Sequence, residues 1–151
     1  RRSHLSQIWA QTMAANFNIN NVRTYSGGTE ATAMFPKVGE TLTNQGFEIQ
    51  KIAEVKNPIY AIKFDDNSHP IIALSKKYDD EFNPKSNFAA IMTCSHADGN
   101  CPIITGAEKR IPITYQDPKL FDITEQQTEK YKERSLQIAS EMKYIFSQIK
   151  K

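Results

Sequence analysis

The sequence predicts a three-layer α/β domain, with helices on both faces of a short central parallel sheet. Three observations lead there. Segments of helical and strand periodicity alternate along the chain. Phe88 to Thr93 is an almost uniformly apolar run ending at Cys94, the pattern of a strand buried on both faces of a parallel sheet. Tyr131, Ser135, Ile138, Ala139, Met142, Ile145, Phe146 and Ile149 recur at helical spacing and form one stripe of a long closing helix. A length of 151 residues fits a single domain over 1–151, and 39% hydrophobic with 24% charged residues fits a packed soluble globule.

Each element has a local reason. Leu5, Ile8, Trp9, Thr12 and Met13 share a helical face, giving a first helix over about Ser3 to Asn16. Val22-Arg23-Thr24-Tyr25 reads as a short strand closed by Ser26-Gly27-Gly28. Pro36 suits a helix start, Val38 and Leu42 share a face, and Gly46 suits the stop. A strand-like piece follows at Phe47 to Ile52. Ile59 to Phe64 and Pro70 to Leu74 flank Asp65-Asp66-Asn67-Ser68-His69, a hairpin or an excursion at the sheet's edge. Lys76 to Asn87 is polar and turn-rich, hence a loop. Arg110 to Tyr115 is another strand, followed directly by Asp117-Pro118. The predicted core includes Leu5, Trp9, Val22, Leu42, Ile91, Met92, Ile138, Met142 and Phe146.

Charge and composition narrow the function. A net charge of +2 is not the bulk signature of a nucleic-acid binder, though it allows a small anion site. The longest apolar stretch, Phe88 to Met92, is far short of a membrane span, and no export leader opens the chain. The two cysteines, in a chain with enough apolar residues to fold without a staple, suit a reducing, cytoplasmic setting. The chain opens Arg1-Arg2-Ser3 without an initiator methionine, with helical periodicity beginning at once, so an N-terminal part is expected outside this sequence.

Three places could carry chemistry. Arg1-Arg2-Ser3 at a helix N-terminus can attract an anion, since unpaired N–H groups and the helix dipole are positive there and arginine forks onto two oxygens; a solvated basic end is the plainer reading. Cys94-Ser95-His96-Ala97-Asp98-Gly99-Asn100-Cys101-Pro102 places two thiols seven residues apart across a polar, glycine-containing segment. Such a pair can close into a disulfide and reopen, or be two unrelated small residues. Metal binding with His96 is the weakest alternative, because the spacing is no standard zinc knuckle. Asp117 lies in a loop after a strand, where a carboxyl group can protonate a leaving oxygen, although Asp-Pro is also a common turn opener.

Taken together these segments resemble the low-molecular-weight phosphatase superfamily, specifically its thioredoxin-coupled arsenate reductase branch, over essentially the whole chain. The resemblance is carried by Arg2-Ser3 opening a helix with Trp9, by Tyr25-Ser26-Gly27-Gly28-Thr29-Glu30 and by the Pro36 helix. It is carried further by Met92-Thr93-Cys94-Ser95 with Asp98, Asn100, Cys101 and Pro102, and by Asp117-Pro118 before a long final helix. The family's active loop is Cys-x5-Arg-Ser/Thr between its first strand and first helix. Arg2 and Ser3 match the end of that motif; the nucleophilic cysteine falls six positions before Arg2, outside this sequence, and the interior first strand with it.

The resemblance implies roles. Loop N–H groups, the helix dipole and Arg2 would hold arsenate or phosphate and lower the nucleophile's pKa, Ser3 would hydrogen-bond the thiolate, and Asp117 would act as general acid. With arsenate, Cys94 would attack the loaded cysteine and Cys101 would resolve the product as a Cys94–Cys101 disulfide, reduced by thioredoxin or a similar thiol reductant. No metal, cofactor, nucleic acid or membrane is expected. A phosphomonoester hydrolase working through phosphocysteine is the alternative, and a non-catalytic relative binding an oxyanion or a protein the third. Lys119 and Leu120 after Asp117-Pro118 replace the aromatic residues of phosphotyrosine-directed members, and the 57–86 segment is longer than in compact bacterial reductases.

Overall fold

A computed structural model describes residues 1–94 and 101–150. The architecture is mixed α/β: α1 (Arg2–Asn16), α2 (Pro36–Asn44), β1 (Glu48–Ala53), β2 (Ile59–Lys63), β3 (Ile71–Ala73), β4 (Phe88–Met92), β5 (Ala107–Pro112) and α3 (Gln127–Ser147), with a 3-10 turn at Pro118–Phe121. Pro36 opens α2, where its missing N–H is no loss, and Gly46 follows the helix at φ +101°, a conformation that favours glycine.

The strands divide into two sheets. β1, β2 and β3 form an antiparallel meander, with Ile49 opposite Ile62 and Ile62 opposite Ile71, while β4 and β5 run parallel with Ile91 opposite Ile111. α1 packs along α3, α2 packs on α3, and α1 and α2 touch β3 and β1 respectively. Leu5, Ile8, Val38, Leu42, Ile62, Ala73, Tyr131 and Ile138 are fully buried where these elements meet. Trp9 stacks edge-on against Phe47 at 5.0 Å and donates to Ser135 Oγ at 2.9 Å, joining α1 to α3.

Four expectations need correction. Phe88–Met92 is a strand, but not one buried on both faces: its residues alternate between half-buried and exposed, and Ile91 keeps 38% of its surface. Met92 is half-buried too. The reason is that β4 pairs with β5 alone among the described strands, so an apolar run lacks the neighbours that would cover it. Trp9 and Val22 are likewise half-buried and pack against the edge of the core. The Arg110–Tyr115 strand begins earlier, at Ala107, and ends at Pro112, although Ile113 and Tyr115 still donate to Met92 and Thr93 carbonyls at 3.0 and 3.3 Å.

Val22–Tyr25 is not in a ladder. The chain after it makes an isolated parallel bridge, Gly28 with Lys77. At Val22 and Thr24 helix side chains supply hydrogen bonds that a neighbouring strand would otherwise make. Gln11 donates to the Val22 carbonyl and accepts from the Thr24 amide, and Gln7 donates to both Thr24 and Ile72 carbonyls at 3.2 and 3.1 Å. Side-chain amides thus satisfy backbone groups that burial would otherwise orphan. At Gly27 a Cβ would lie 2.5 Å from Tyr78 Cα, so only glycine allows the bridge to close.

Candidate functional site

The N-terminal turn of α1 meets the loop that follows β5. Arg2 donates through Nη1 to the Thr93 carbonyl at 3.3 Å and to the Tyr115 carbonyl at 2.8 Å, while its Nη2 lies 3.2 Å from the Asp117 carboxylate. The guanidinium therefore bridges the exits of two parallel segments. It can do so because Tyr115 N–H pairs with the Thr93 carbonyl, which brings the chain after β4 and the chain after β5 together under it. In parallel α/β sheets this carboxyl end of the strands is where ligands collect.

Asp117 is held by its own turn. One carboxylate oxygen accepts the Lys119 amide at 3.1 Å, leaving the other toward Arg2, and Pro118 behind it is fully buried. Both side chains of the Arg2–Asp117 pair are mostly covered, with 12% and 22% of their surface exposed, so their attraction is screened less than that of a surface pair. Such an arrangement sets a forked donor and a carboxyl group on the same spot at a helix N-terminus, the electrostatic requirement for holding a tetrahedral anion and passing it a proton.

Cys94 directly follows Thr93. Cys94 and Cys101 are joined in a disulfide with Cα atoms 6.2 Å apart, Cys94 half-buried and Cys101 exposed. His96, Asp98 and Asn100 lie outside the described residues. Ser3 is half-buried and lines a polar cavity of about 220 Å³ with Arg1, His4, Ser26, Phe35 and Lys76. Of the five residues expected to act, Arg2 and Asp117 are thus in contact, Cys94 and Cys101 are bonded to each other one residue from Arg2's acceptor, and Ser3, next to Arg2 in sequence, lines the cavity at the start of α1. A larger groove of about 560 Å³, between Gln7, Gln11, Arg23, Tyr25, Ile72 and His69, touches none of them.

Asp122, Tyr131, His4 and Lys76, which sequence reasoning did not single out for chemistry, also shape this region, and Arg1 is held in contacts other than the anion site expected of it. Arg1 donates to Tyr131 Oη and to the Asp122 carboxylate, both at 2.6 Å, and its guanidinium carbon sits 4.0 Å above the Phe35 ring. Burial alone would raise the Asp122 carboxyl, but hydrogen bonds from Tyr131 and Gln127 and the charge of Arg1 hold it below its ordinary value. Burial and the bond to Asp122 raise Tyr131. His4 is buried with Nε2 3.2 Å from the Leu74 carbonyl, and burial pushes it down to about 4. Lys76, also buried, donates to the Ser26 carbonyl at 2.7 Å and is lowered by burial to about 8. The available signal was charge pairing: two adjacent arginines against Asp117 and Asp122, five residues apart.

Among the described residues, no group of three or more His, Cys, Asp or Glu side chains could hold a metal ion. No described helix is long and apolar enough to cross a membrane. Compared with protein-family models and with curated proteins, the chain matches none.

Proposed function

We propose that this chain belongs to an enzyme of the low-molecular-weight phosphatase type acting as an arsenate reductase through a cysteine relay. The observation that carries the reading is the convergence of Arg2 with Asp117 and with the carbonyl of Thr93, next to the Cys94–Cys101 disulfide. An anion-holding fork, an acid and a redox-capable cysteine pair are the parts such a reaction needs, and a simple phosphatase has no use for the pair. The proposal extends to the fold: a three-layer sandwich whose parallel sheet joins β5 and β4, through a strand outside this sequence, to Val22–Tyr25. Support for that comes from Val22–Tyr25 standing outside both ladders and from β4 pairing with β5 alone among the described strands.

In this mechanism the nucleophile is a cysteine thiolate six positions before Arg2, with Ser3 donating a hydrogen bond to it. Arg2 and the α1 N-terminus hold arsenate. The thiolate attacks arsenic, and Asp117 gives its proton to the departing oxygen, which leaves as water. Cys94 thiolate then attacks the nucleophile's sulfur. The electron pair of the sulfur–arsenic bond passes to arsenic, which leaves as arsenite, reduced from the +5 to the +3 state. Cys101 thiolate attacks Cys94, freeing the nucleophile and leaving the Cys94–Cys101 disulfide. A dithiol reductant such as thioredoxin reduces that disulfide in a cytoplasmic setting, and no further cofactor takes part.

The test uses protein that includes the residues before Arg1, with thioredoxin, its reductase and NADPH. Arsenate should drive NADPH oxidation. Cys94→Ser should stop repeated turnover, and Cys101→Ser should accumulate a disulfide between Cys94 and the nucleophile. Normal cycling of both variants would refute the relay. Hydrolysis of aryl phosphates without arsenate-dependent NADPH consumption would instead favour a phosphatase, which the same Arg2–Asp117 pair supports. Binding of an oxyanion without turnover would favour a non-catalytic relative.

A further inference from the structure

Two arginines adjacent in sequence are paired with two aspartates that bracket one short turn. Arg2 faces Asp117 before the turn, and Arg1 faces Asp122 after it. The two pairs differ in how they are built. Arg2 reaches Asp117 with Nη2 at 3.2 Å and donates through Nη1 to the Thr93 and Tyr115 carbonyls. Arg1 is enclosed: Nε on Tyr131 Oη, Nη2 on Asp122, and the guanidinium over Phe35. The acceptors of Arg1 are themselves tied, because Tyr131 Oη donates to Asp122 at 2.7 Å and Gln127 donates to the same carboxylate at 3.1 Å. Tyr131 is fully buried in α3, so this lock is anchored in the core.

Between the aspartates the chain has little freedom. Pro118 is buried, the Leu120 amide bonds the Asp117 carbonyl at 3.3 Å, and the Asp122 amide bonds the Lys119 carbonyl at 3.0 Å. Fixing Asp122 therefore fixes Asp117.

We infer that Arg1, Asp122 and Tyr131 form a positioning lock that holds the Asp117 loop against the start of α1, so that Arg2 can leave Asp117 for a bound oxyanion without the acid losing its place. This rests on the oxyanion reading above. The physical need is plain. An anion that takes over Arg2's fork removes the attraction that holds Asp117, and a carboxyl group about to donate a proton is neutral and cannot hold an arginine by charge. Asp122, kept ionised by its hydrogen-bond donors, does not take part in the proton transfer and keeps its grip throughout. Preorganisation of this kind matters because a displacement of about 1 Å at a reacting group can cost on the order of 10²-fold in rate.

A leaving-group test separates positioning from mere structural support. In protein that includes the residues before Arg1, phenyl phosphate and 2,4-dinitrophenyl phosphate are compared as substrates. In each the nucleophile's sulfur bonds phosphorus while the phosphorus–phenolate bond breaks, and water then displaces the sulfur to release phosphate; in the first step only the phenol oxygen of phenyl phosphate needs Asp117's proton. Asp122→Asn, which preserves shape, should lower kcat/KM on phenyl phosphate on the order of tenfold and leave that on 2,4-dinitrophenyl phosphate within about twofold. Inhibition by inorganic phosphate should stay near wild type. Tyr131→Phe should show the same pattern more weakly, and Arg1→Lys should restore part of what Arg1→Met loses. Adding Asp122→Asn to Asp117→Asn should cause no further loss, because the lock acts only through the acid.

Equal losses on both substrates, no loss on either, or additive effects in the double variant would overturn the lock while leaving the oxyanion site standing. A wild-type protein that neither turns over these esters nor is protected by phosphate or arsenate would overturn the site itself, and the lock with it.

Discussion

The antiparallel meander and the parallel pair are built from similar amino acids and end up differently. β2 and β3 read Ile-Tyr-Ala-Ile-Lys and Ile-Ile-Ala; β4 reads Phe-Ala-Ala-Ile-Met. Ile62, Ile71 and Ala73 are buried, whereas Ile91 and Ile111 are 38% and 39% exposed. The meander's strands are joined by short connections and find their partners locally, and α1 and α2 reach it from the helical side. β4 has one ladder partner among the described strands. Apolar sequence therefore reports what a strand is able to bury, and neighbours decide whether it does.

That contrast can be broken in four ways. The largest effect should come from truncating equivalent isoleucines. Ile62→Ala should lower stability by about 2–5 kcal/mol, and Ile91→Ala, on a half-open surface, by under about 1 kcal/mol. Equal losses in urea unfolding would mean that β4 is as well covered as the meander.

The next largest effect should come from acid, through His4 where α1 meets the chain after β3. Its folded value, about 4, lies below the unfolded value of 6.5, so the unfolded chain binds the proton first. The stability present above pH 6.5 is lost as pH falls toward 4, by about 3 kcal/mol from this group. His4→Gln, whose amide can still donate to the Leu74 carbonyl, should flatten the wild-type slope across that window. Parallel slopes in the two proteins would show that His4 is not the group responsible.

Reducing the Cys94–Cys101 disulfide should act on the other sheet. Closure of so short a loop is worth about 2 kcal/mol in the chain-entropy account. Hydrogen exchange should quicken at β4, β5 and the residues after them, with the β1–β3 amides unchanged. Uniform quickening would mean that the two sheets unfold as one unit. The smallest effect belongs to the meander's outer face. Lys51→Ala, which removes an exposed ion pair with Glu54 at 3.4 Å, should change stability by less than about 0.5 kcal/mol.

By itself the sequence determined the elements whose causes are local. Pro36 and Gly46 bound α2, the stripe from Tyr131 to Phe146 forms α3, and the turn-rich 65–69 segment separates β2 from β3, because capping chemistry, helical spacing and turn preference act within a few residues. It also singled out Arg2, Asp117 and the cysteines, whose chemistry is written in residue type. Tertiary structure decided the rest. Val22–Tyr25 has strand-forming residues but takes its hydrogen bonds from Gln7 and Gln11, and α1's apolar stripe gave no hint that those polar side chains would be needed inside. The enclosure of Arg1 by Asp122, Tyr131 and Phe35 joins residues up to 130 positions apart. No periodicity or local propensity encodes such a contact: it exists because packing α1 along α3 brings the Arg1 guanidinium to the Tyr131 phenol and to the Asp122 carboxylate, partly covered from solvent, where each group satisfies the others.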